Sequence, residues 1–157
     1  MCQYCGCRDM PLLRDYTAEH ERVINLGADA IRALDAGDTT AAQRFTGRLA
    51  TQLRSHWRGE EDGIFAALLN NDDIFAAHIE PLIAEHRSLD QFLTVVDLTR
   101  SDHRDRLRAE VDGLQEHIAK EEDSLFPASL SALGGHEWDA AISAWQRAHP
   151  GEQLLES

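Results

Sequence analysis

His117-Ile118-Ala119-Lys120-Glu121-Glu122-Asp123-Ser124-Leu125-Phe126 repeats the spacing of an earlier stretch, His56-Trp57-Arg58-Gly59-Glu60-Glu61-Asp62-Gly63-Ile64-Phe65. Both read H-x-x-x-E-E-D-x-[I/L]-F. Residues four apart on a helix lie one above the other on the same face. His56 with Glu60 and His117 with Glu121 are therefore two imidazole–carboxylate pairs, each carried by one helix. A shorter echo precedes each copy, Ala18-Glu19-His20 and Ala84-Glu85-His86. The chain reads as a duplicated two-helix unit, and the repeat carries the chemistry.

Outward from these motifs, apolar residues recur at steps of three and four. The first helix carries Leu13, Tyr16, His20, Val23, Gly27, Ile31 and Leu34, following Pro11, and Ala36-Gly37-Asp38 stops it. Asp38 is placed to cap the second, which presents Phe45, Leu49, Leu53, His56, Glu60 and Ile64 and ends near Asn70-Asn71-Asp72. The third holds Ile79, Leu82, His86, Leu89, Leu93 and Val96. Pro81 suggests a separate turn over 73–78 and a helix start near Glu80. Ser101-Asp102 caps the fourth, which runs through Leu107, Val111, Leu114, His117, Glu121 and Leu125 to Pro127. Beyond Leu133-Gly134-Gly135, a last amphipathic segment with Trp138, Ile142 and Trp145 is expected to pack across the bundle or its end. No strand is indicated. The reading is an all-α, antiparallel up-down four-helix bundle with an additional C-terminal helix. It divides into a Cys-rich leader (1–10), the bundle plus last helix (11–150) and a tail (151–157) expected to fray.

Length and charge agree with one folded domain of 157 residues. A net charge of -13 opposes binding to nucleic acid or an anionic membrane. No apolar run approaches the roughly 20 residues that a membrane-spanning helix needs. With no apolar signal segment and an odd number of cysteines, a reducing cytoplasm is the expected location, as a monomer or weak homo-oligomer.

The histidines pass a geometric test. In an up-down bundle, residues at equal height on successive helices are equidistant from the turn between them. His20 and His56 are centred on residue 38, His56 and His86 on residue 71, and His86 and His117 between Ser101 and Asp102. All three centres fall on turn signals, so the four histidines share one layer. A buried carboxylate without a partner costs several kcal/mol. A dinuclear metal site removes that cost, since carboxylates can bridge two cations while imidazoles fill the remaining positions, and nitrogen and oxygen donors without thiolate suit iron, manganese or zinc.

The order H…HxxxE…H…HxxxE on four antiparallel helices resembles the hemerythrin-like (HHE cation-binding) domain over about residues 11–130. The resemblance implies a non-haem di-iron centre with ligands His20, His56, Glu60, His86, His117 and Glu121, Glu60 and Glu121 bridging. Manganese or zinc are the substitutes. Ferritin-like di-iron bundles use Glu-x-x-His instead. Two departures stand out. Oxygen-carrying hemerythrins have HxxxH on the third helix, where this chain has Leu82 before His86 and Asp90 after it. They also end in H-x4-D, where this chain offers Glu121 at the fourth position and Glu122 at the fifth. Helical facing favours Glu121, and a local bulge would swap the two.

These departures shift the expectation from oxygen carriage towards reaction with, or sensing of, dioxygen, peroxide or nitric oxide in redox or iron stress. That range includes a peroxide- or nitric-oxide-reactive oxidoreductase. Iron storage, donation or iron-centre repair, and an iron-dependent sensor without turnover, remain open. At least one of Cys2, Cys5 and Cys7 is read as accessory to the centre, as redox relay, nitric oxide acceptor or extra ligand, the alternative being a solvated tail with incidental thiols. Glu61, Asp62, Glu122 and Asp123 mostly face solvent, with one free to hold a histidine N–H. His78, His103, His136 and His149 are assigned solvated or capping roles.

Overall fold

The computed structural model describes residues 9–155, and every described regular element is helical. Helix α1 is Leu13–Asp35 and α2 is Thr39–Glu60. Helix α2 continues through a π-helical turn, Glu61–Phe65, into Ala66–Asn71. Helix α3 is Ala76–Val95, preceded by a 3-10 turn, Asp73–Phe75. Helix α4 is Ser101–Lys120 and likewise runs through a π turn, Glu121–Leu125, into Phe126–Ala132. Helix α5 is Gly135–Ala148. The first four close a ring in which each packs on its neighbours, and α5 lies against α2 and its π turn.

The turns follow from their residues. Gly37 adopts φ +73°, which glycine takes without steric cost, and the Asp38 carboxylate accepts the Ala41 N–H at 2.9 Å. At the next turn Asp72 accepts the Ile74 N–H at 3.0 Å. The third turn differs from expectation. Helix α4 does start at Ser101, but Arg100 precedes it without a side-chain cap, and Asp97 organises the loop by accepting both the N–H and the hydroxyl of Thr99. Pro81 sits inside α3 and does not start it. Nor does Pro127 end the fourth helix: it falls in the first turn after a π turn, where a missing N–H is tolerated. The tail is not frayed up to Leu155. Its N–H donates to Asp15 at 2.7 Å, and its carbonyl accepts from Arg14.

Two apolar clusters fill the bundle, one above and one below the histidine layer. The first, towards the Gly37 and Asp97 turns, includes Val23, Leu49, Leu53, Leu89, Phe92, Leu107 and Leu114. The second, towards the far end and α5, includes Tyr16, Phe65, Leu68, Ile79, Leu82, Phe126 and Trp145. The α1 stripe drifts as it ascends. Ala30 and Ala33 reach the core, while Ile31 and Leu34 pack at its margin.

Candidate metal centre

Between the clusters lies a polar layer. His20, His56, His86 and His117 are buried, and Glu60 and Glu121 are both 0% exposed. Each carboxylate reaches three imidazoles, drawn from both halves. Glu60 Oε1 lies 2.9 Å from His56 Nε2 and 3.4 Å from His20 Nε2, while its Oε2 lies 3.8 Å from His86 Nε2. Glu121 is arranged in the opposite sense. Its Oε1 is 2.9 Å from His117 Nε2 and 3.7 Å from His86 Nε2, and its Oε2 is 3.1 Å from His20 Nε2. Donor atoms of His20, His56, Glu60 and Glu121 all lie within 4.8 Å of one another, as do those of His86, His117 and Glu121. The layer thus holds two ligand sets that share a carboxylate.

All six residues singled out from the repeat come together here. A π turn is present in both copies, starting just after Glu60 in the first and at Glu121 in the second, and it leaves Glu121 rather than Glu122 in the core. A π turn inserts one residue into the helical repeat, and such bulges are frequent at functional sites. In the first copy it brings Ile64 and Phe65 both inward behind Glu60. In the second, Glu121 stays in the core and Glu122 turns to the rim.

A second ring of carboxylates faces the far side of each imidazole. Glu61 Oε1 is hydrogen-bonded to His86 Nδ1 at 2.8 Å, and Glu85 Oε2 to His117 Nδ1 at 2.6 Å. Glu19 Oε2 approaches His56 Nδ1 at 3.4 Å, and Glu122 Oε1 approaches His20 Nδ1 at 3.5 Å. The duplication extends to these partners. In each half, the glutamate of the Glu-His echo serves the histidine of the next helix. The second glutamate of each H-x-x-x-E-E motif serves the echo histidine of the other half. The terminal phenylalanine follows the same rule: Phe65 stacks on His86 at 5.9 Å and Phe126 on His20 at 5.8 Å.

Glu122 therefore lies where an accessory role was expected, and Glu61 joins it. Glu19, Glu85, Phe65 and Phe126 were missed, although the repeat had kept every one of them. His149 does cap α5, its Nδ1 against the Trp145 carbonyl, but it is buried, not solvated, because its Nε2 is paired with Glu19. His103 does cap a turn, accepting the Asp97 N–H at 2.9 Å, while His78 and His136 are exposed. Leu82, where oxygen carriers have a further histidine, is buried in the second apolar cluster. Tyr16 holds the matching place before His20, and its hydroxyl donates to the Gly59 carbonyl at 2.9 Å. Cys2, Cys5 and Cys7 lie outside the described residues.

Proximity sets the protonation of the layer. Burial opposes charge on every member, yet the opposite charges prevail. Against burial, His117, His20 and His86 hold Glu121 well below the usual carboxylate range. Glu60 is held low too, with burial and the Glu121 charge resisting His56 and His20. Burial pulls His56 down, but Glu60 and Glu19 lift it to about 9. Glu121 and Glu85 overcome burial at His117 and lift it to about 8. Against burial, Glu121, Glu122 and Glu60 raise His20, and Glu121, Glu61 and Glu60 raise His86.

The layer suits cations. Both oxygens of Glu60, both of Glu121 and the His20 Nε2 are buried without a hydrogen-bond partner. Buried polar atoms are normally paired, so a cluster of orphaned acceptors aimed at one another is the signature of a cation site. A helical bundle with two buried histidine–glutamate sets that share Glu121 is a candidate metal-binding protein. The chain belongs to the hemerythrin HHE cation-binding domain family, whose family model matches residues 12–129. No curated protein and no solved structure matches it significantly. Among the described residues, no helix is long and apolar enough to cross a membrane.

Proposed function

We propose that this chain is a non-haem di-iron protein that reacts with or senses dioxygen, peroxide or nitric oxide under redox or iron stress. His20, His56, Glu60, His86, His117 and Glu121 would hold the two ions, with Glu60 and Glu121 bridging. The observation that carries the reading is the pair of wholly buried glutamates, each with its two oxygens turned towards imidazoles of different halves. Bound iron supplies open positions for small ligands and the capacity to change valence.

The remaining groups prepare the site. Glu61 and Glu85 fix the ring orientation of His86 and His117, and carboxylates in this role raise ligand basicity. Phe65, Phe126 and Trp57, the last stacked on His86 at 5.0 Å, keep water from the imidazole faces. The absence of a second histidine on α3, where Leu82 stands, would leave one ion with fewer protein ligands and supports small-molecule reactivity over closed storage.

The reading is tested by adding peroxide or nitric oxide anaerobically to the iron-loaded protein and following its visible spectrum. A rapid change is expected, together with its loss in the Glu60→Ala, Glu121→Ala double variant. Two irons retained in that double variant would refute the ligand assignment. An inert spectrum in the loaded wild type would refute the reactivity.

A further inference from the structure

The two halves of the layer are alike in sequence but not in surroundings, and the difference traces to α5. The glycines flanking Glu60, Gly59 and Gly63, correspond in the second copy to Lys120 and Ser124. A Cβ on Gly59 would lie 3.4 Å from atoms of both Trp145 and His149. One on Gly63 would lie 3.1 Å from the Ala141 carbonyl. Helix α5 therefore rests directly on the backbone of α2 behind Glu60, a closeness that larger side chains would prevent. Its last turn delivers two groups to one acceptor. The Trp145 indole N–H donates to Glu19 Oε2 at 3.1 Å, and His149 Nε2 is paired with Glu19 Oε1. His149 is itself held, its Nδ1 2.8 Å from the Trp145 carbonyl and its ring stacked on that indole at 4.1 Å. Glu19 is thereby fixed, 3% exposed, against His56 Nδ1.

Among the described residues, the other half has nothing comparable. Glu85, the counterpart of Glu19, has a side chain 42% exposed, and its second oxygen meets Lys120 Nζ at 2.7 Å. A cavity of about 200 Å³ opens there between α3 and α4, against Trp57, His86 and His117.

We propose that Trp145 and His149 are positioning residues of the metal centre: through Glu19 they fix His56 and make the His20–His56 position the closed, tighter-binding one. The His86–His117 position, whose His86 is held by Glu61 and whose His117 is braced by the exposed Glu85–Lys120 pair, is the open and exchangeable one. The helix that does this lies beyond the residues matched by the family model. The inference rests on the dinuclear reading above.

Cobalt(II), which is coloured and holds its valence, serves as the probe in a stepwise titration followed by absorbance. The variants are Trp145→Phe, which keeps the ring and loses the donor, His149→Leu, His149→Gln as the conservative partner, and Lys120→Ala on the opposite half. Loss of such supporting groups typically weakens metal binding by about 10- to 100-fold. That loss is expected in the tighter step alone for Trp145→Phe and His149→Leu, with recovery in His149→Gln. Lys120→Ala should affect only the weaker step. Equal weakening of both steps by Trp145→Phe, or none, overturns the proposal. A metal-free measurement stands beside it in case His149→Leu does not fold. In apo Trp145→Phe the His56 ring resonances should shift while those of His117 hold still, and an unmoved His56 overturns the proposal. Fewer than two cobalt ions bound by the wild type would overturn the dinuclear reading, and the His56 resonances would still decide the role of α5.

Discussion

Metal loading has to drive protons out of the layer. An imidazole binds a cation only when its ring nitrogen is free, so uptake competes with protonation. His56 and His117 are lifted to about 9 and about 8. At pH 7 they are then roughly 99% and roughly 90% protonated, and releasing those protons opposes binding by roughly 3 and roughly 1 kcal/mol. His20 and His86 are raised as well, which makes about two a lower bound on the protons released per chain and about four the upper. The product of the two binding constants should rise at least about 100-fold between pH 6 and pH 7, one decade for each of two protons. Calorimetric titration with zinc(II) in two buffers of different ionisation heat reads the proton count directly. Release of less than one proton at pH 7, with affinity flat from pH 6 to pH 8, would refute the charged layer.

Other consequences follow from the same geometry. In the metal-free protein the raised histidines stabilise the fold fully below about pH 6.5, and that stability is lost as pH climbs through about 8 and about 9. Denaturant unfolding of the apo protein should show the decline, and a stability flat from pH 6.5 to pH 9.5 would count against it. Stripping the metal should lower the melting point, since tight binding to the folded state alone adds on the order of several kcal/mol. His20→Ala or His86→Ala should bring the metal-loaded melting point towards the apo value; variants melting like loaded wild type would contradict the site. Gly63→Ala places a methyl 3.1 Å from both the Ala141 carbonyl and the Tyr16 hydroxyl, so α5 has to shift by a few tenths of an ångström, and the change should cost about 1–3 kcal/mol by thermal unfolding. An unchanged melting point would mean that α5 is not seated as described.

The ligand layer was legible because a repeat and a reflection both pointed to it. Four histidines equidistant from three turns leave little freedom in a bundle of this kind, and the structure places all of them in one layer. The outer carboxylates were harder to read, since each serves a histidine on another helix and no local spacing reveals that crossing. The clue lay in what the duplication preserved: two adjacent glutamates and a terminal phenylalanine in each copy, beyond what ligation alone requires. The burial of His149 was not legible because its partner, Glu19, is 130 residues away and that burial depends on the glycines of α2. Pro127 misled because proline normally ends a helix, and the π turn that accommodates it leaves no mark in the apolar stripe.

The central claim meets its most direct test in metal analysis of protein purified without added metal, with a visible spectrum taken before and after peroxide. The account predicts close to two metal ions per chain, mostly iron, and a spectrum that peroxide changes. A full-length, folded protein carrying no metal, or one ion of another element with no response to peroxide, would contradict it.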